Sequence, residues 1–469
     1  MFSLRDIELA TGGDVIAGPG VDADSAFEGV AIDHREVARG HLFVAIRGER
    51  VDGHLYIPGA VSNGARAVLL SNLPVEPPPT GVAYVRVPDT VRALGQLGAY
   101  WRQKMPARVV GITGSVGKTS TKEALASVLS GRYTTVRSKK SFNNEIGLPL
   151  ALLSLTPDVQ VAVLEMGGAY VMGEIEYLCS LARPQVGVVT NVGYAHVGRM
   201  GSIERIAENK SELVRSLPPD GLAVLNRDDP RVRKMSDIAP CPVLWYGLSE
   251  DADVRADEVQ GAGLKGIRFR LRIRDRVYPD VRAPLLGRHS VHTVLAAAAV
   301  AHAEGMDDQQ ILSAVLRLDP GLRLLVTPGV NGSTLLDDTY NANPASVLAA
   351  LDLLADVDLN GQGRKVAVLG DMAELGDYAP EGHRTVGARA AEVCSLLYAV
   401  GPLSRETALA AEGAGLDPAC VRRVDTAEEA LHELRNVLRE GDMVLLKGSR
   451  AMALDKLAGA LAATGTGVV

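Results

Sequence analysis

Ten residues constrain this 469-residue chain more than any others: Gly111-Ile112-Thr113-Gly114-Ser115-Val116-Gly117-Lys118-Thr119-Ser120. The apolar pair Val109 and Val110 precedes them, and Thr121 to Leu129 follows with the pattern of an amphipathic helix. Strand, glycine-rich loop and helix in that order form a phosphate cradle. Glycines let successive backbone N–H groups converge on an anion, and the helix N-terminus adds partial positive charge. Lys118 is placed to reach the terminal phosphates, and the Thr119 hydroxyl to hold Mg²⁺. Gly114, Ser115, Gly117 and Ser120 complete the expected nucleotide loop. The general pattern has glycine at position 112, where this chain has Ile112 between Gly111 and Thr113. The competing account is a plain glycine turn ahead of a core helix.

A chain of this length holds two to four domains of ~100–200 residues each. Hydrophobic residues at 47% and charged residues at 22% are ordinary for a globular protein. A net charge of −7 leaves no polybasic surface, which argues against binding built on nucleic-acid backbone or anionic lipid. No leader pattern and no membrane-length apolar run is visible, so a cytoplasmic enzyme is expected. Cys179, Cys241, Cys394 and Cys420 are scattered and read as buried free thiols, with neither a zinc site nor a disulfide framework.

Residues 1–105 form a first candidate domain, with short strands at Leu42 to Ile46 and Ala65 to Leu70 and a surface loop from Glu76 to Gly81. The clusters Asp33-His34-Arg35, Arg47-Gly48 and Asp52-Gly53-His54 read on their own as turn chemistry. Residues 106–315 form the second domain. Its apolar strands at Val161 to Leu164, Val186 to Val189 and Leu222 to Leu225 alternate with helical patterns, which argues a doubly wound, mostly parallel sheet. Ile267, Phe269, Leu271 and Ile273 then alternate with Arg268, Arg270, Arg272 and Arg274, an antiparallel strand with a solvated arginine face. Residues 316–469 carry a third α/β unit with strands at Val366 to Leu369 and Met443 to Leu446, and the last seven residues look frayed.

Three side chains stand out around the phosphates. Glu165 ends an apolar strand beside the loop, where Mg²⁺ needs a carboxylate to add to phosphate oxygens; otherwise it is a turn carboxylate. His196, past the end of another strand, is a capped loop histidine or a ligand for a second divalent cation. Lys210 falls on the apolar stripe made by Ile203, Ile206, Ala207, Leu213, Val214 and Leu217. A buried amine loses part of its basicity and can react with CO₂, giving a carbamate that bridges two magnesium ions. The alternative is a lysine that snorkels to solvent or pairs with Glu208 or Glu212.

Taken together these residues resemble the Mur ligases, the ATP-dependent amide-forming enzymes of bacterial cell-wall synthesis. Thr113 to Thr119 is similar to their Thr-Gly-x-x-Gly-Lys-Thr loop, which accounts for Ile112. Asn143 to Pro149, Asp337 to Pro344, Leu369 to Gly376 with His383 downstream, and Lys447 to Arg450 resemble the member that joins UDP-N-acetylmuramoyl-tripeptide to D-alanyl-D-alanine. Asp33 to Arg35 and Gly40 to Ile46 resemble its uridine-nucleotide domain.

The resemblance implies ATP and Mg²⁺ on Lys118 and Thr119, metal ligation by Glu165 and His196, and a carbamylated Lys210. It further implies Arg323, Asp338, Tyr340 and Asn341 facing the nucleotide from a Rossmann-like third domain. Asp33, Arg35, Asn143, Asn144, Lys447 and Arg450 would contact the substrates. Two departures stand out: Ser290 and Thr293 occupy positions where the family has asparagines, and His34 replaces a serine. A hydroxyl donates and accepts through a single oxygen and so cannot reproduce an amide's separate donor and acceptor atoms. The implied reaction passes the γ-phosphoryl group to a carboxylate and the acyl phosphate to an amine. It requires the third domain to close on the second about a hinge near Asp319-Pro320-Gly321. A monomer is expected. The alternatives are a folylpolyglutamate-type ligase and a catalytically silent nucleotide-sensing protein.

Overall fold

The structure, a computed structural model, describes all residues except 1, 25, 140–141, 322–323, 360 and 464–469. Arg323 therefore lies outside the described residues. Three sheets follow one another along the chain. The first contains β1 (Asp14–Ala17), β2 (Gly29–Ala31), β3 (His41–Val44), β4 (Ala67–Leu70) and β5 (Ala83–Arg86), in the order β1-β5-β4-β3-β2. Only the β1–β5 pair is antiparallel.

The central sheet contains β6 (Arg108–Thr113), β7 (Thr135–Arg137), β8 (Val161–Glu165), β9 (Val186–Val189) and β10 (Leu222–Asn226). It continues through β11 (Val243–Gly247), β12 (Val254–Gly261), β13 (Ile267–Ile273) and β14 (Arg276–Ala283). The order is β14-β13-β12-β11-β10-β9-β6-β8-β7, parallel from β7 across to β12 and antiparallel in the last two pairs. Strands covered by helices on both faces are apolar, as β9 is throughout and β8 is up to its last residue, Glu165.

On β13, Ile267, Phe269, Leu271 and Ile273 are buried, and the arginines between them pair with Asp257, Glu258 and Asp280. The alternation stops one residue short of the expectation: Arg274 leaves the strand in a left-handed turn with φ 51°.

The third sheet contains β15 (Leu325–Pro328), β16 (Thr334–Asp337), β17 (Lys365–Gly370), β18 (Leu396–Val400), β19 (Val421–Val424) and β20 (Met443–Lys447). Its order is β15-β16-β20-β17-β18-β19, parallel except at β15–β16. The expected architecture, a central doubly wound sheet flanked by two smaller α/β units, is the one observed.

Two helices position the phosphate loop. Helix Ser290–Ala303 carries the buried run Ala296 to Ala299 and packs on helix Lys118–Leu129, where small side chains let the two backbones approach. Helix Thr90–Lys104 ties the first sheet to the central unit: Trp101 is buried and its Nε1 donates to the Leu155 carbonyl at 2.9 Å. Two expectations need correction. Cys241 and Cys420 are only half-buried, whereas Cys179 and Cys394 are buried. Ala463 is not frayed, since its N–H donates to the Pro328 carbonyl at 3.0 Å; the six residues after it lie outside the described set. Among the described residues no helix is long and apolar enough to cross a membrane.

Candidate active site

The loop Gly114 to Gly117 leaves β6 at the point where the sheet order reverses around it, with β8 on one side and β9 on the other. Crevices at such switch points are where open α/β sheets bind ligands. Gly114 has φ 142°, and a Cβ there would lie 1.9 Å from the Thr190 hydroxyl, so no other residue fits. Gly117, at φ 85°, starts helix Lys118–Leu129. Asn191, just past β9, braces the loop: its Oδ1 accepts from Val116 N at 2.9 Å, and its main-chain carbonyl accepts from Ser115 N at 2.9 Å. Ser115 Oγ in turn donates to the Gly193 carbonyl at 3.1 Å. Lys118 folds back over the loop and donates from Nζ to the Gly114 carbonyl at 2.7 Å.

Glu165, at the end of β8, is 2% exposed and faces the first turn of that helix. The Thr119 hydroxyl donates to its Oε2 at 2.8 Å, and the Asn143 amide to its Oε1 at 2.7 Å. Asn144 accepts from Gly147 N at 2.9 Å and so starts helix Gly147–Leu153. Among the described residues no group of three His, Cys, Asp or Glu could hold a metal unaided. That donor set suits Mg²⁺, which keeps waters and phosphate oxygens and takes only one or two protein carboxylates.

His196 and Lys210 flank the same end. His196 sits in the left-handed region at φ 64°, and burial, with Lys118 nearby, lowers its pKa against the pull of Glu374. Lys210, on helix Ile203–Arg215, neither snorkels nor pairs with Glu208 or Glu212. It is 3% exposed, and its Nζ donates to the Gly168 carbonyl at 2.5 Å and to Asn209 Oδ1 at 3.1 Å. Burial, reinforced by Lys118, lowers its pKa to about 7. Glu212, expected on the polar side, is also buried. It accepts from the N–H groups of Gly173, Ile175 and Glu176 and caps helix Glu174–Ala182 from outside.

A cavity of about 1640 Å³ opens over the loop. Ser115, Gly117 to Ser120, Asn143, Asn144, Glu165 and His196 line one wall, and Asp338, Tyr340, Asn341 and Lys447 of the third unit line the other. Lys447 is buried, with Nζ donating to Asp338 Oδ2 at 2.5 Å and to the Asn341 carbonyl at 3.0 Å. Arg450 is exposed, its guanidinium 5.9 Å from the Tyr340 ring centre and outside the cavity wall.

Ser290 and Thr293 line the same cavity, but the Ser290 hydroxyl is turned to the Leu286 carbonyl at 2.6 Å. The polar group beside them is His292, whose Nε2 donates to Asp228 Oδ2 at 2.7 Å. Burial raises the Asp228 pKa, and hydrogen bonds from His292, Leu248 and Ser249 outweigh it, holding the carboxyl well below its usual range.

Asp33 and Arg35 do not reach this cavity. They pair with each other in the first unit, Arg35 Nη2 to Asp33 Oδ2 at 2.5 Å, and the pairing lowers Asp33 to about 2. Between them His34 stacks on Tyr56, ring centres 4.7 Å apart. Sequence reasoning missed Asn191, the His292–Asp228 pair and Glu374. Glu374 lay inside a quoted motif, but its partners are more than 170 residues away.

Three family models match in order: the Mur ligase family catalytic domain over residues 26–102, the Mur ligase middle domain over 112–301 and the Mur ligase glutamate ligase domain over 322–450. A Synechocystis protein named UDP-N-acetylmuramoyl-tripeptide–D-alanyl-D-alanine ligase is 36% identical over 97% of this chain and 96% of its own. A crystal structure of MurF from Acinetobacter baumannii superposes with a TM-score of 0.84 at 31% identity, covering 98% of each chain. MurF ligase from Thermotoga maritima in complex with ADP gives a TM-score of 0.78 at 29% identity, covering 92% of this chain and 96% of that one.

Proposed function

The chain belongs to the Mur ligase family, and from that premise we infer its reaction and the part each residue plays. It is an ATP-dependent ligase that joins D-alanyl-D-alanine to UDP-N-acetylmuramoyl-tripeptide in peptidoglycan synthesis. One observation carries the assignment of residues. The Thr119 hydroxyl and the Glu165 carboxylate meet at 2.8 Å beside Lys118, in a cavity that the third unit closes with Asp338 and Lys447.

In this reading the loop N–H groups and Lys118 bind the β- and γ-phosphates of ATP. Thr119 and Glu165 would hold Mg²⁺, which when bound would neutralise charge on the phosphate oxygens. The tripeptide carboxylate attacks the γ-phosphorus, giving an acyl phosphate and ADP. The free amine of D-alanyl-D-alanine then attacks the acyl carbon, phosphate leaves and the amine loses its proton. Lys118 and the third-domain cations offset the negative charge that develops, and closure keeps water from the acyl phosphate.

His196 and Lys210 provide a second cation site in this account. The deprotonated fraction of the buried amine, whose pKa is lowered to about 7, would add to CO₂ through its lone pair and release a proton, giving the carbamate anion that such a site requires. Asn143, Asn144, Lys447 and Arg450 serve the amino-acid substrates, and Asp33 and Arg35 the uridine end. Asp338, Tyr340 and Asn341, which line the cavity, face the nucleotide. We take the enzyme to be a cytoplasmic monomer, where ATP and UDP-linked precursors are found.

The test is phosphate release from ATP with UDP-N-acetylmuramoyl-tripeptide and D-alanyl-D-alanine, against folate and glutamate as the control pair. Release only with the first pair is expected. Release only with the control pair, or with neither, overturns the reading.

A further inference from the structure

Glu374 has no part in the reaction as described, yet it reaches from the third unit into the wall of the active site. It lies after β17 in the left-handed region at φ 65°, a conformation that costs a non-glycine residue energy unless surrounding contacts hold it. Those contacts all come from the central unit. Glu374 Oε2 accepts from His196 Nδ1, Oε1 accepts from Arg199 Nη2 at 2.5 Å, and the main-chain carbonyl accepts from Gly198 N at 2.8 Å. Beside it a Cβ on Gly198 would lie 2.6 Å from Gly376 N, and Tyr194 stacks on Tyr378 with ring centres 3.9 Å apart. This joint exists only when the third unit is docked.

Its chemistry bears on His196. Arg199 pairs with the other Glu374 oxygen, and a carboxylate held in such an ion pair can only accept from the imidazole. The proton on the imidazole is therefore at Nδ1, and the lone pair is at Nε2. The ring lines the cavity with the phosphate loop. A carboxylate behind a histidine in this way fixes the ring's orientation and raises its strength as a ligand.

We propose that Glu374 is the positioning residue for His196, so that the second divalent-cation site of the ligase is complete only in the domain-docked form. The inference rests on the reading of His196 as a metal ligand. It adds that the third domain supplies the group that makes His196 competent. An interdomain tie made through Arg199 alone would hold the domains together without affecting the cation.

The experiment titrates Mn²⁺ into the full-length enzyme with a non-hydrolysable ATP analogue, followed by electron paramagnetic resonance. Glu374→Ala is expected to weaken the second Mn²⁺ by about 10–100-fold and leave the first unchanged. Glu374→Gln, whose amide oxygen still accepts from Nδ1, is expected to restore most of that affinity, and Arg199→Ala to retain it. Wild-type affinity for the second ion in Glu374→Ala, or a Gln variant as defective as the Ala variant, overturns the inference. His196→Ala separates the two layers. If it loses the second ion while Glu374→Ala keeps it, only the positioning role fails. If it keeps both ions, the metal-ligand reading fails and the inference falls with it.

Discussion

Lys210 Nζ donates to the carbonyl of Gly168, 42 residues earlier in the chain, at 2.5 Å. That bond holds a lysine amine against the glycine-rich turn after β8, with its pKa lowered from 10.5 to about 7 chiefly by burial. Between these values the unfolded chain binds more protons than the folded one, so this residue makes stability rise with pH from about 7 to 10.5. Below that window its contribution is flat. Urea unfolding in CO₂-free buffer should show wild type gaining on Lys210→Met as pH is raised from neutrality, by at most about 1.4 kcal/mol per pH unit. Parallel pH profiles for the two proteins would refute the lowered pKa.

The Thr119–Glu165 bond gives a second prediction. A hydroxyl shared between a carboxylate and Mg²⁺ is lost in Thr119→Val, with little change in volume. Ligase turnover should fall by about 10–100-fold or more, while Thr119→Ser stays close to wild type. Thr119→Val also takes a donor from the buried Glu165 carboxylate, so its unfolding midpoint should lie somewhat below that of Thr119→Ser. Equal turnover in the Val and Ser variants would remove the hydroxyl from the metal site.

Lys447 and Asp338 form a third case. Their side chains are 2% and 14% exposed, so removing one partner leaves a charge with little access to water. Lys447→Met should cost about 3–5 kcal/mol of stability, and Asp338→Asn added to it should recover a large part. A single-variant cost below about 1 kcal/mol, or no recovery in the double variant, would show that the pair contributes little to the third unit.

How much of this site was legible in the sequence depended on how local its causes are. Lys118, Thr119 and Glu165 were readable because strand, loop and helix succeed one another within a short stretch, and a carboxylate at a strand end has few other uses. Helical periodicity put Lys210 on the apolar stripe but left burial and snorkelling both open, and the bond to the Gly168 carbonyl decides for burial. Glu212, on the same helix, was misplaced because its partners are three N–H groups at the start of another helix, which no periodicity displays. Asn143, expected at the substrate, directs its amide at Glu165, and that geometry depends on a loop closing back on β8. The His196–Glu374 contact was out of reach because it depends on how one folded unit sits on another. The strand pattern conveyed the architecture, and docking created the joints.

Docking also sets the last prediction. Besides the Glu374 joint and the Tyr194–Tyr378 stack, the second and third units meet where Arg288 makes a two-point pair with Asp356 at 2.7 and 2.9 Å. Arg288 is 59% exposed, so the pair adds at most about 1 kcal/mol and weakens with salt. Among the described residues the connection at Asp319 to Gly321 is held locally by one bond, Gly321 N to Asp319 Oδ1 at 2.8 Å. Contacts of that strength leave opening within thermal reach, and ligands that touch both walls of the cavity must favour the docked form. Small-angle scattering should show the radius of gyration contracting when an ATP analogue and UDP-N-acetylmuramoyl-tripeptide are added together. Asp356→Asn should enlarge the ligand-free particle without changing the liganded one. A radius indifferent to ligands would mean the units are fixed, and the closure required to keep water from the acyl phosphate would have to be abandoned.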